Sequence, residues 1–130
     1  MAIHFNHTIL SARDRDASAK FLTEILGLPA ATRWGPFQMV TTANEANLDY
    51  MKVSCEIAPQ HYAFLVSESE FDEIFKKIRE QGLSYWADPG QTKQGEINRH
   101  DDGRGLYFEE LNGHLIEIIT RPYGSGGWNP

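Results

Sequence analysis

The sequence predicts an α+β fold built from two copies of one strand–helix–three-strand module. Three observations carry that expectation. First, "NHTILSARDRDASAKFLTEILGL" from Asn6 and "QHYAFLVSESEFDEIFKKIREQGL" from Gln60 repeat one pattern. Each opens with a polar residue and a histidine, runs through a short apolar stretch and a charged one, and enters a helical stripe closed by Gly-Leu. Second, the spacing matches: His7 to Gly27 spans 20 residues and His61 to Gly82 spans 21. Third, similar strand-like runs follow both helices. A repeated unit is the strongest organising signal a chain can carry.

The elements follow in order. Ile3, Phe5, His7 and Ile9 alternate with more polar positions, the period of a strand. Asp14 or Asp16 can cap a helix over residues 17–26, whose stripe is Phe21, Leu22, Ile25 and Leu26 and whose stop is Gly27. Strands are expected at residues 31–34, 37–41 and 47–53, with a turn at "TANEAN". The second module opens with a strand at 62–66. Ser67 or Ser69 can cap its helix, with Phe71, Ile74, Phe75 and Ile78 as the buried stripe and Gly82 as the stop. Lys76, Lys77 and Arg79 stand late in it, where the helix dipole favours cations. Strands at 83–86, 106–110 and 114–121 complete the copy, with a turn at "LNG". The second module also carries an extra polar segment, "DPGQTKQGEINRHDDG", which reads as a long loop of the kind that is often functional. The tail "GSGGWNP" reads as flexible.

Composition sets the frame. A chain of 130 residues fits one domain, since single cores serve ~100–200 residues. The modules are expected at about 1–55 and 58–122 of that single domain. With 41% hydrophobic and 23% charged residues the chain can bury a core. The net charge of −6 argues against non-specific nucleic-acid binding and against docking on an anionic membrane. Cys55 is the one cysteine, which excludes an intrachain disulfide and a thiolate-rich zinc site. No signal-peptide pattern opens the chain, and no run reaches the ~18–20 apolar residues of a membrane span. The expected location is cytoplasmic.

Aligning the last strands of the two modules sets "NLDYM" against "LIEII". Asp49 and Glu117 are each an acid between apolar residues. His7 and Asp49 are 42 residues apart and His61 and Glu117 are 56 apart; the difference of 14 is close to the size of the extra loop. If the modules pack about a pseudo-twofold axis, two histidines and two acids converge. Carboxylates facing each other in a low-dielectric trough resist ionisation, and a divalent cation removes that conflict. Nitrogen and oxygen donors without sulfur suit Fe(II), Mn, Ni, Co or Zn. The ordinary alternatives stand beside this. A lone histidine at a strand start is usually a polar edge residue, and His4, His100 and His114 are read that way, His114 as a turn residue after Asn112-Gly113. Asp49 could equally face solvent on a half-exposed strand.

The motifs "NHTIL", "ILGLP", "QHYAFLV" and "GRGLYFEELNGHLIEI", with the paired topology, resemble the vicinal oxygen chelate superfamily over nearly the whole chain. That superfamily includes glyoxalase I, extradiol dioxygenases, fosfomycin-resistance thiol transferases and bleomycin-binding proteins. The resemblance implies two paired βαβββ modules forming a curved mixed sheet around a metal. It implies His7, His61 and Glu117 as metal ligands, with Asp49 where glyoxalase I has an additional glutamate. It further implies a homodimer, with the site formed within one chain or between two.

The resemblance leaves the reaction open, since function belongs to the site and not the fold. The first expectation is an Fe(II)-dependent oxygenase or oxidase of an aromatic or phenolic small molecule that chelates the metal through vicinal oxygens, concretely of the aromatic polyketide type. Trp34, Phe37, Tyr50, Tyr62, Trp86 and Tyr107 are candidate aromatic walls, though core packing is the ordinary role of such residues. Tyr107 stands apart because a tyrosine at the matching place in the thiol transferases faces the substrate. It and Glu117 are the expected catalytic residues. A glyoxalase-type lyase or isomerase is the second expectation, with Asp49 and Glu117 moving the proton. Thiol transfer is weakened by Ile9, where those enzymes usually carry a threonine. A metal-free antibiotic-binding protein would not need the ligand set. Arg104 could anchor an anionic group or be a solvated charge.

Overall fold

The first strand of each half, β1 (His7–Ala12) and β5 (His61–Leu65), begins at the histidine of the repeat. The computed structural model describes residues 2–130, which fall into two compact units, one ending at Ala58 and the other beginning at Pro59. The first unit continues from β1 through α1 (Arg15–Leu26), β2 (Thr32–Trp34), β3 (Phe37–Thr41) and β4 (Asn47–Lys52). The second continues from β5 through α2 (Glu68–Glu80), β6 (Tyr85–Trp86), a 3-10 turn at His100–Asp102, β7 (Gly105–Glu109) and β8 (Leu115–Ile119). Both are βαβββ modules, as the repeat predicts.

Their sheets have the same topology. The strand orders are β1-β4-β3-β2 and β5-β8-β7-β6, with the first pair parallel and the others antiparallel. The first and last strands of a module can run parallel because a helix and two more strands intervene.

Alternation then divides each sheet into two faces. In the first unit Leu10, Ala12, Val40, Leu48 and Tyr50 are buried, as are Ala19, Leu22 and Ile25 of α1, which packs on β1, β3 and β4. In the second, Leu106, Phe108, Ile116 and Ile118 are buried, together with Phe71, Ile74 and Ile78 of α2. Phe75 meets Tyr85 edge-on at 5.1 Å. Burying each large side chain contributes roughly 1.5–3 kcal/mol. The opposite faces are left open, and Ile9 and Leu65 are exposed on them.

The helix caps settle two choices. Asp14, not Asp16, caps α1, accepting from the Ala17 N–H at 3.0 Å. Gly27 ends it at φ 70°, a left-handed conformation that suits glycine. Ser67 caps α2 in a reciprocal box: the Glu70 N–H donates to Ser67 Oγ at 3.1 Å, and the Ser67 N–H donates to Glu70 Oε1 at 2.7 Å.

Two expectations are corrected. Arg104 is committed to neither a free anion nor solvent. It donates to Glu68 Oε1 at 2.7 Å, pairs with Asp72 at 2.8 Å and lies 4.3 Å over the Phe71 ring, tying the start of β7 to α2. The tail is not a loose end, because Asp101 accepts hydrogen bonds from three of its backbone amides. Among the described residues no helix is long and apolar enough to cross a membrane.

The cap assignment is testable. Ser67→Ala should lower the unfolding free energy by ~1 kcal/mol, whereas Ser69→Ala should stay within ~0.5 kcal/mol. Urea unfolding of the whole chain measures both.

Candidate functional site

Strand pairing brings each histidine and its acid to one face. Asp49 pairs with Ile9, two residues beyond His7. Glu117 pairs with Ala63, two residues beyond His61. The offset is identical, so in both units the imidazole and the carboxylate stand on the same sheet face, the one away from the buried Leu10 or Ile118. This register is the structural form of the correspondence between "NLDYM" and "LIEII".

In the first unit Asp49 is 7% exposed, and its Oδ1 is buried with no hydrogen-bond partner among the described residues. Burial raises its pKa above the ordinary 3.8, and the nearby His7 opposes that rise. His7 Nδ1 lies 2.6 Å from Asn6 Oδ1. With the proton on Nδ1, the imidazole donates to Asn6 and keeps the Nε2 lone pair for another partner. Asn6 is a contributor that sequence reasoning passed over, although it precedes the histidine directly.

In the second unit Glu117 is 1% exposed. Its Oε1 is 2.9 Å from His61 Nε2 and its Oε2 accepts from the Tyr123 hydroxyl. Tyr107 pairs with Glu117 across β7 and β8, and its ring lies 5.6 Å from that of His61. The Tyr107 and Tyr123 hydroxyls are 3.0 Å apart. Because the Tyr123 proton points to the carboxylate, Tyr107 donates to Tyr123. Burial first, and then the bond to Glu117, push Tyr123 up to about 12. Tyr107 is also raised, by burial and then by its bond to Tyr123. Both phenols are therefore neutral donors near neutral pH.

A pocket of about 740 Å³ opens beside these tyrosines, between the extra loop and the tail. That volume suits a small organic ligand, for which ~300–1,000 Å³ is usual. Tyr107, Tyr123, Trp128 and His100 are among its walls, with Lys93 and Arg99 on its margin. Trp128 stacks on His100 at 3.8 Å. Sequence reasoning missed Tyr123 and Trp128 because glycine dominates their surroundings; two aromatics in so short a tail were the available signal. The other aromatic candidates divide. Tyr50 and Tyr62 neighbour the site strands but turn to the opposite face, Tyr50 fully buried and Tyr62 edge-on to His114. Trp34 is exposed. His114 accepts from the Gln60 N–H at 3.0 Å and is buried at the turn that Glu110 braces.

Imidazole nitrogens and carboxylate oxygens form a donor set that suits a divalent cation. The orphaned Asp49 Oδ1 fits such an ion, since an unpartnered buried carboxylate oxygen is otherwise costly. Among the described residues no three His, Cys, Asp or Glu side chains gather.

The family model described as "Glyoxalase/Bleomycin resistance protein/Dioxygenase superfamily" matches residues 4–118. The chain belongs to this superfamily. Among solved structures it is similar to "Oxidase ChaP-H1", with 58% identity and a TM-score of 0.93 over 95% of this chain and 99% of that one. It is similar to "Oxidase ChaP-H2" at 57% identity and a TM-score of 0.95, over 98% of this chain and all of that one. A more distant relative is "Glutathione transferase FosA" of Serratia marcescens, 29% identical over 119 residues, covering 87% of this chain and 77% of that protein. For this member of the superfamily, the fold and the βαβββ repeat are those the sequence predicts.

The raised pKa of Asp49 has a consequence for stability without metal. Between its ordinary value of 3.8 and its raised folded value, the folded state holds more protons than the unfolded state. Stability therefore falls as pH rises through that window, and the loss persists above it. Metal-free Asp49→Asn should be more stable than wild type near neutral pH, and that advantage should vanish below the ordinary pKa. Chemical unfolding across pH 3–8, in a metal-free buffer, checks the sign.

Proposed function

We propose that the chain is a metal-dependent oxidase or oxygenase of a small aromatic or phenolic molecule, with His7, Asp49, His61 and Glu117 as ligands of one divalent ion. The observation that carries the metal assignment is the repeated histidine–acid pair at identical strand offset. The two oxidases at 57% and 58% identity support oxidative chemistry over the lyase alternative. An ion in this nitrogen and oxygen set supplies Lewis acidity and, as Fe(II), a source of electrons for O₂. Mn, Ni, Co or Zn suit the same donors.

The remaining roles belong to the chain. His7 is held in one tautomer by Asn6, so its Nε2 is set to donate its lone pair. Asp49 and Glu117 balance a dipositive charge with two carboxylates. To bind through Nε2, which faces Glu117 at 2.9 Å, His61 would take the tautomer with its proton on Nδ1. Tyr107 carries a neutral hydroxyl at the edge of the pocket; its proton is given to Tyr123, so its oxygen is left to accept from a substrate hydroxyl. A planar phenolic substrate with vicinal oxygens fits a pocket walled by Tyr107, Tyr123, Trp128 and His100; an aromatic polyketide is the concrete candidate. The same proposal includes action of the two modules as one domain, a cytoplasmic location and a homodimer.

Protein purified without chelators should contain about one divalent metal per site set and consume oxygen with catechols or hydroquinones. His61→Ala should lower metal content at least tenfold and abolish the uptake. Full metal occupancy in that variant would overturn the ligand assignment. Metal binding without oxygen uptake on any phenol would overturn the oxidase assignment. For the homodimer, sedimentation equilibrium at micromolar concentration should give twice the chain mass of 14.8 kDa.

A further inference from the structure

The segment after Pro122 carries three glycines among Tyr123, Trp128 and small polar residues, a composition that gives little reason for order. Yet it is fastened at several points. Asp101 Oδ2 accepts from the Gly124 N–H at 2.9 Å, and Oδ1 accepts from Gly126 at 2.9 Å and Trp128 at 3.0 Å. Gly126 lies so close over the Asp101 main chain that a Cβ there would collide with it. Trp128 stacks on His100 and meets the Tyr123 ring at 5.5 Å. Asp101 and Asp102 both hold φ 59°, left-handed backbone that costs a non-glycine residue on the order of 1–3 kcal/mol. Such strain persists where surrounding bonds over-determine it, and the three amides on Asp101 are those bonds.

We infer that Tyr123 is a positioning residue for Glu117, held in place by a strap in which Asp101 anchors residues 124–128. The Tyr123 hydroxyl occupies Oε2 and leaves Oε1 facing His61. The carboxylate is thereby turned to present one oxygen rather than two to an ion. The Tyr107 hydroxyl in turn bonds Tyr123, so the strap also fixes the side of the pocket nearest Glu117. The Asp101 carboxylate reaches Glu117 only through the tail. This inference rests on the proposal that Glu117 is a metal ligand. Outer hydrogen bonds to ligand carboxylates are typically worth ~10–100-fold in metal affinity.

The test uses the full chain and three variants. Tyr123→Phe removes the hydroxyl and keeps the ring. Asp101→Gly removes the acceptor and tolerates the left-handed backbone. The third variant combines them. In the metal-free protein, hydrogen exchange at Gly124, Gly126 and Trp128 should be slow in wild type and in Tyr123→Phe, and fast in Asp101→Gly. In anaerobic Fe(II) titrations, Tyr123→Phe should bind ~10-fold more weakly, Asp101→Gly similarly, and the double variant no more weakly than the worse single. Weakened binding with the strap amides still protected separates positioning from a structural role. Fast exchange in wild type would overturn the strap. Tyr123→Phe binding within twofold of wild type would overturn the positioning role alone. A wild type that binds no divalent metal would overturn the metal proposal and this role with it.

Discussion

A buried carboxylate on the open face of a four-stranded sheet is the constraint around which each unit is arranged. The helix takes the other face, where Leu10, Tyr50, Ile116 and Ile118 supply the core. Strand alternation then leaves Asp49 and Glu117 no way to join that core, because their neighbours on both sides in sequence already occupy it. An ionised carboxylate so placed needs a partner, since desolvation without one costs several kcal/mol. The parallel pairing of the first and last strands brings the histidine to that face at the same offset in both copies. Topology thus supplies the juxtaposition, and chemistry needs only the residue types.

The two copies resolve the constraint differently. Glu117 is satisfied by the protein itself, with His61 on one oxygen and Tyr123 on the other. Asp49 keeps an oxygen without a hydrogen-bond partner among the described residues, and its pKa rises through burial. The unit with the satisfied acid is also the one with the extra loop and the strapped tail. A pocket and two tyrosines thus stand beside the carboxylate of the second unit alone.

Most of the fold was legible because it rests on short-range signals. The stripe of Phe71, Ile74 and Ile78 and the glycine stops at Gly27 and Gly82 mark helices, and the register of "LIEII" follows from alternation. The placement of each histidine beside its acid on one sheet face was legible because the chain repeats itself; one histidine and one acid alone would have carried little weight. The strap was not legible. It depends on Asp101 in a left-handed conformation reaching amides more than twenty residues onward, and composition around those amides argues for disorder. Arg104 was misjudged for a related reason: Glu68 and Asp72 lie more than thirty residues earlier on α2, and only the packing of α2 beside β7 brings them to it.

The contrast between the acids also bears on what the sheet faces are for. If the open faces served only solubility, surface polar residues would suffice, and a buried, unpartnered oxygen would be selected against as a plain loss of stability. Ile9 and Leu65 are exposed on those same faces, which fits poorly with a solvating role. An apolar surround does raise the effective strength of charge interactions within it, because the local dielectric falls. A cation beside such a carboxylate would be bound more tightly than on a polar surface. Under the proposed metal site, the stability that the buried Asp49 carboxylate takes from the metal-free chain is partly recovered when an ion supplies its missing partner.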